Sequence, residues 1–208
     1  MSKQRVLTAA HLAEPDRVPT DFHANPWVLK RLHRDLGTST HRALLERLRS
    51  DVVDLRGVVD PKYCGTVPQS RELGDGVREN FWGWRQKVMQ TATGPEDCFV
   101  EFVLADAALI EIGVDILDPL QAAADGMEPQ ALKDAYGNRV CLHGGICTQY
   151  LLPRGRPKEV RDEVRRRLEI LGAGGGYILA PCHVLQTDVP TENILAMSDT
   201  GFESGRYS

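Results

Sequence analysis

Gly176-Tyr177-Ile178-Leu179-Ala180-Pro181-Cys182-His183 is the stretch whose reading decides the fold. An apolar run ends abruptly in Cys-His, and Asp188-Val189-Pro190-Thr191-Glu192-Asn193-Ile194 then turns into a helix start. A (βα) barrel places reactive side chains in this way, at the C-terminal mouth of a parallel strand.

The same alternation extends upstream. Gly113 to Asp118 reads as a short buried strand ending at Pro119, and Pro129 suits the first turn of a helix stopped by Gly137. Arg139 to Ile146 is the next strand. Pro157 opens a helix in which Val160, Val164, Leu168 and Leu171 recur at helical spacing. Gly172 to Gly176 ends that helix, Tyr177 to Ala180 is a further strand, and Pro190 starts a helix with Ile194 and Met197 on one face. Alternating strands and helices with short connections require parallel strands and right-handed crossovers. A doubly wound fold would put its glycine-rich turn after a first strand; here Gly172 to Gly176 precedes one, so a barrel-type α/β unit is favoured.

The first half is looser. Residues 3–13 are expected to be helical, Arg17 to Phe22 alternates like a strand, and residues 26–36 and 40–49 are helical with Leu44, Leu45 and Leu48 apolar. Val52 to Val59 reads as a second strand. From Pro61 to Val103 the pattern is irregular, with Phe81 to Val88 and Cys98 to Val103 expected to pair as a hairpin.

Composition narrows the function classes. With 208 residues, 42% hydrophobic and 26% charged, the chain supports one well-buried core. A net charge of -4 without a basic tract gives nothing to recruit nucleic acid. No apolar run approaches the roughly 18 residues of a membrane span. The N-terminal segment has no signal-peptide core, so a cytoplasmic location is expected. Five cysteines (Cys64, Cys98, Cys141, Cys147, Cys182) at irregular spacing read as reduced thiols.

Three blocks resemble the uroporphyrinogen decarboxylase superfamily, which also contains corrinoid-linked methyltransferases. They are Arg5-Val6-Leu7 through Glu14-Pro15-Asp16-Arg17-Val18-Pro19-Thr20-Asp21-Phe22; Phe81-Trp82-Gly83 with Leu104-Ala105-Asp106-Ala107; and Leu109 to Asp115 through Pro119-Leu120-Gln121, Gly144-Gly145-Ile146 and Thr148-Gln149 to Asn193-Ile194. The resemblance implies a TIM-type (βα)8 barrel over residues 1–208 as a single domain. The family's middle strands are missing from it, an apparent internal deletion near 107–109. Five candidate strands emerge, where a closed barrel has eight and about 250 residues. An incomplete barrel is therefore expected, with marginal stability or an open sheet that self-associates.

The resemblance also implies a site. His183 matches a histidine at the mouth of the family's last strand, and is the expected catalytic residue, able to donate to a substrate carboxylate or relay a proton. Asp21 and His23 follow the first strand; Asp118, Gln121 and Gln149 follow later ones, and all five are expected to bind substrate. Each can equally satisfy local backbone. The family's arginine-rich propionate loop is replaced by His23-Ala24-Asn25-Pro26-Trp27, and Asp51 to Val59 lacks its Ser-Asp pair. Adjacent strands would bring His183, Cys182, His143 and Cys147 near one another, with ligand types that suit zinc, which the methyltransferases use, although His143 with Cys147 is not the equivalent of their zinc pair.

Two chemistries thus stay open: decarboxylation of tetrapyrrole acetate side chains without a cofactor, and zinc-dependent methyl transfer from a corrinoid. A non-catalytic remnant is the third reading. The partner is a tetrapyrrole or corrinoid small molecule, with a homodimer implied by the decarboxylases. Arg161, Arg165, Arg166 and Arg167, interleaved with acids, read as a solvated helix face.

Overall fold

The computed structural model describes residues 2–52, 71–79, 85–91, 94–101, 113–121 and 127–207. The chain divides into two compact units, one formed by Met1–Asp60 with Asp115–Ser208 and the other by Pro61–Val114.

The larger unit begins with α1 (Ser2–Ala10), α2 (Pro26–Leu36) and α3 (His41–Arg47). Helix α2 starts where Asn25 Oδ1 accepts the Val28 N–H at 2.9 Å, and ends at Gly37, whose φ of 63° closes the last turn. Thr40 caps α3 in the same way through the Ala43 N–H at 3.1 Å, and Leu44, Leu45 and Leu48 are buried.

The smaller unit is a four-stranded antiparallel sheet of β1 (Arg71–Gly74), β2 (Val77–Glu79), β3 (Arg85–Thr91) and β4 (Gly94–Glu101), in that order. The expected pairing of Val88 with the Cys98 region is present, with Lys87 opposite Cys98 and Val88 opposite Asp97. The β1–β2 hairpin was not anticipated. Its turn is Asp75-Gly76, with φ of 51° and 73°, the pairing of positive angles that a two-residue hairpin turn demands.

The larger unit continues with β5 (Ile116–Leu120), α4 (Pro129–Tyr136), β6 (Cys141–Ile146), the short α5 (Leu151–Arg154), α6 (Pro157–Leu171), β7 (Tyr177–Pro181) and α7 (Thr191–Ser204). Strands β5, β6 and β7 form a parallel sheet in that order. The first of them departs from expectation. It begins at Ile116 rather than Gly113 and runs through Pro119 to Leu120, because a bulge between Leu117 and Leu120 takes Asp118 and Pro119 out of the ladder. A proline at a bulge removes no ladder hydrogen bond.

Residues 17–22 do not form a regular strand, yet they lie along β7. The Asp21 N–H donates to Leu179 O at 2.9 Å, and the Leu179 N–H donates to Pro19 O at 2.9 Å. Parallel bridges join Thr20 to Leu179 and Ala24 to Leu185. The Asp51 N–H in turn donates to Thr20 O at 2.7 Å, where the next strand was expected. Beyond Val52 that strand lies outside the described residues, as do Phe81 to Gly83 and the join near 107–109. Parallel edges therefore run β5, β6, β7, then residues 19–21.

The two faces of this sheet differ. On one, a Cβ added at Gly201 of α7 would meet Leu179 Cδ2 at 2.5 Å and Thr20 Cγ2 at 3.1 Å, so this helix packs closely against it. Helix α6 packs beside α7 and buries Val160, Val164, Leu168 and Leu171, each contributing about 1.5–3 kcal/mol. Arg167 corrects the solvated-face expectation. It lies three residues after Val164, on the inward stripe, is 6% exposed, and its Nε donates to Glu163 at 2.6 Å. Asn193 ties α7 to the short α5 and its cap by donating to Leu152 O and Gly155 O at 2.8 and 2.7 Å. On the other face, α1 covers the strand starts: Ala9, Cys141 and Ile178 form a buried cluster with Val6, Leu12 and Ile116 against it.

A buried ion network fixes α1 to the strands. Asp51 accepts from Arg5 at 2.5 Å, from Arg17 at 3.1 Å and from the Thr20 N–H at 3.1 Å. Among the described residues no helix is long and apolar enough to cross a membrane.

Candidate acid–base site

Side chains two apart on a strand share a face, and this places the site. His143 shares the face of Cys141, and Asp118 that of Ile116. The register pairs His143 with Ile178. Thr20 faces α7 with Leu179, so Asp21 points to the opposite face, and His23 follows two residues later. Four polar side chains thereby converge just beyond the apolar cluster that α1 covers.

Their contacts are direct. His143 Nδ1 lies 2.5 Å from Asp118 Oδ1, and His143 Nε2 lies 3.0 Å from Asp21 Oδ2. His23 Nε2 lies 2.8 Å from the same Asp21 oxygen, an ion-pair contact that is off the hydrogen-bond direction. The other Asp21 oxygen accepts the Phe22 N–H at 2.6 Å. Exposure is graded along the series: the side chains of Asp21 and His143 are 3% and 11% exposed, those of His23 and Asp118 33% and 53%.

The charges support one another. Burial on its own opposes an imidazolium at His143, but hydrogen bonds from Asp118 and Asp21 outweigh it and raise the group to about 9. Burial on its own also opposes ionisation of Asp21, yet the hydrogen bond of His143 and the close approach of both imidazoles hold this carboxyl well below the usual range. The Asp21 contact raises His23 against the cost of its partial burial. At neutral pH the centre is a buried carboxylate between two imidazoles that favour the protonated form.

Of the expected site residues, the structure brings Asp21, His23 and Asp118 together. His143, weighed from sequence only as a zinc-type residue, joins them. His183 is exposed just beyond β7, next to the buried Cys182. Gln149 is exposed in the turn after β6. Gln121 is half-buried, and its Oε1 is buried without a hydrogen-bond partner among the described residues. Among those residues no three His, Cys, Asp or Glu side chains are arranged to hold a metal. Burial pushes the Cys141 thiol up to about 12, unlike the thiolate that zinc prefers.

The described fold is thus an α/β unit with a parallel sheet that carries a cluster of two carboxylates and two histidines beyond the covered strand starts. Residues 101–203 match the family model described as uroporphyrinogen decarboxylase (URO-D). That match supports membership of the uroporphyrinogen decarboxylase superfamily, and the described three-stranded parallel sheet is compatible with part of a barrel of that family. No curated protein matches it.

Proposed function

We propose that the Asp21–His23 pair is the acid–base centre of a decarboxylase that removes CO2 from acetate side chains of a tetrapyrrole. The observation that carries this reading is His23 itself: partly exposed, with Asp21 Oδ2 2.8 Å behind it and a raised affinity for its proton. An acetate on an electron-rich pyrrole is reluctant to lose CO2 because the electron pair left behind has nowhere to go. Protonating the ring opens an acceptor for that pair, a proton delivered to the methylene carbon then completes the methyl group, and the ring proton returns to the histidine as the pyrrole is restored, so that one proton is consumed. A protonated histidine backed by a buried carboxylate is suited to both deliveries near neutral pH.

Asp21 is negatively charged in the resting site and stabilises the imidazolium before transfer. His183, at the end of β7, is assigned the substrate carboxylate, and Gln121 and Gln149 the polar rim of the same ligand. The residues 1–208 act in this proposal as one inherited catalytic domain with a shortened barrel, as a homodimer. Zinc-dependent methyl transfer has no comparable support, since among the described residues no three His, Cys, Asp or Glu side chains are arranged to hold a metal.

The test is CO2 release from a tetrapyrrole bearing acetate side chains, comparing wild type with His23→Ala. Loss of a positioned acid lowers kcat by about 10²–10⁴-fold, with substrate binding retained. A wild-type protein that releases no CO2, or a variant as fast as wild type, refutes the assignment. Methyl transfer to a thiol from a methylated corrinoid in the presence of zinc would point to the methyltransferase branch instead.

A further inference from the structure

Replacing a carboxylate by hydrogen consumes a proton. In R–CH2–CO2⁻ + H⁺ → R–CH3 + CO2, the C–C bond breaks, its electron pair ends in the new C–H bond, and nothing is oxidised or reduced. His23 therefore has to be recharged once per turnover, and a flat ligand seated over it would block recharging from the mouth. The geometry offers a second route. From His23 the contacts run to Asp21 Oδ2 at 2.8 Å, on to His143 Nε2 at 3.0 Å, and from His143 Nδ1 to Asp118 Oδ1 at 2.5 Å. The series begins and ends at partly exposed groups and is buried between them.

We infer that Asp118, His143 and Asp21 form a proton path that recharges His23 from solvent on the β5 side of the site. An imidazolium gives up one ring proton and is recharged at the nitrogen left bare. His143 passes its Nε2 proton to Asp21, and Asp21 passes it to His23 Nε2 as the half-exposed His23 ring turns into line; a flip of the neutral His143 ring then brings its bare nitrogen to Asp118, which solvent has protonated and which recharges it. One proton enters and one reaches the substrate. The bulge that removes Asp118 from the β5 ladder leaves its side chain both solvent-facing and within reach of His143. Asp118 and His143 are thus positioning and relay residues rather than groups that touch the substrate. The step rests on the decarboxylase reading, but the path itself does not.

Asp118→Asn is the test, because the amide oxygen preserves an acceptor for Nδ1–H and cannot carry a proton inward. Two readouts separate the path from the reaction. By nitrogen-15 NMR of the ligand-free protein, exchange of the His143 ring N–H with water is expected to slow by about tenfold or more in the variant, as removal of a general base requires. Unchanged exchange overturns the path, whatever the protein catalyses. In the CO2 assay kcat is expected to fall with KM unchanged, and small carboxylic acids in the buffer to restore it. A fall that no buffer acid restores would mean a purely structural role and overturn the path. Slowed exchange in a protein that releases no CO2 would retain the path and overturn the decarboxylase reading.

Discussion

Replacing His143 by Gln removes the imidazolium from between Asp118 and Asp21 while keeping a polar side chain of similar reach. The consequence for stability is set by pH. His143 stands at about 9 in the folded protein against an ordinary value of 6.5. A group with a raised folded value stabilises fully below its unfolded value and loses that contribution as pH climbs through the folded one. Full protonation in the native state is therefore worth at most on the order of 3 kcal/mol, and about 1–3 kcal/mol after relaxation of Asp21 toward His23. The groups facing His143 are Asp118 from β5 and Asp21 and His23 from the first strand segment; His23 titrates in both proteins and largely cancels in the difference. Urea unfolding of wild type and His143→Gln across this range should show wild type ahead at pH 6.5, with the gap narrowing by about 1–3 kcal/mol as pH passes 9. A gap that stays constant, or widens with pH, would refute the ion-paired assignment of His143.

Two further substitutions test the frame around the site. Asp51→Asn leaves Arg5 and Arg17 without their buried counter-charge, and should cost about 3–5 kcal/mol in chemical denaturation; a loss below about 1 kcal/mol would mean the network is solvated in solution. Gly174→Ala and Gly175→Ala share a positive φ, at 70° and 87°, but only at Gly175 would the new Cβ meet backbone, 2.5 Å from the Ala13 carbonyl carbon. The first should cost about 1 kcal/mol and the second distinctly more by thermal melting; equal losses would argue against the close approach of the two loops.

The elements that could be read from sequence were those with strong punctuation. Pro129 and Gly137, Pro157 and Gly172, and Pro190 bracket α4, α6 and the start of α7, and a single apolar stripe made each unambiguous. Less legible was β5, because a bulge depends on the partner strand and not on local propensity. The β1–β2 hairpin carried a readable Asp-Gly signal within a stretch whose glycines suggested irregularity. Arg167 was lost to its charged neighbours, although its spacing from Val160 and Val164 placed it inward.

The site divides in the same way. Asp21 and His23 alternate at the end of the first strand segment, and their place after a predicted strand singled them out, as it did Asp118. His143 was legible only as a chemical type beside Cys147. Its partners are 25 and 122 residues away along the chain, and parallel register alone determines that they meet. The resemblance drew His183 forward by position, and only the folded register could reveal the coupling of His143 to Asp21 and Asp118.

The central claim is that this centre delivers protons to carbon as CO2 departs. The most direct measurement is to run the reaction in D2O and follow the tetrapyrrole product by mass spectrometry together with released CO2. The account predicts a new methyl group carrying one solvent deuterium for each CO2 released, and loss of both signals in His23→Ala. CO2 release without deuterium in the methyl group, or no carboxyl loss from wild type, would contradict it.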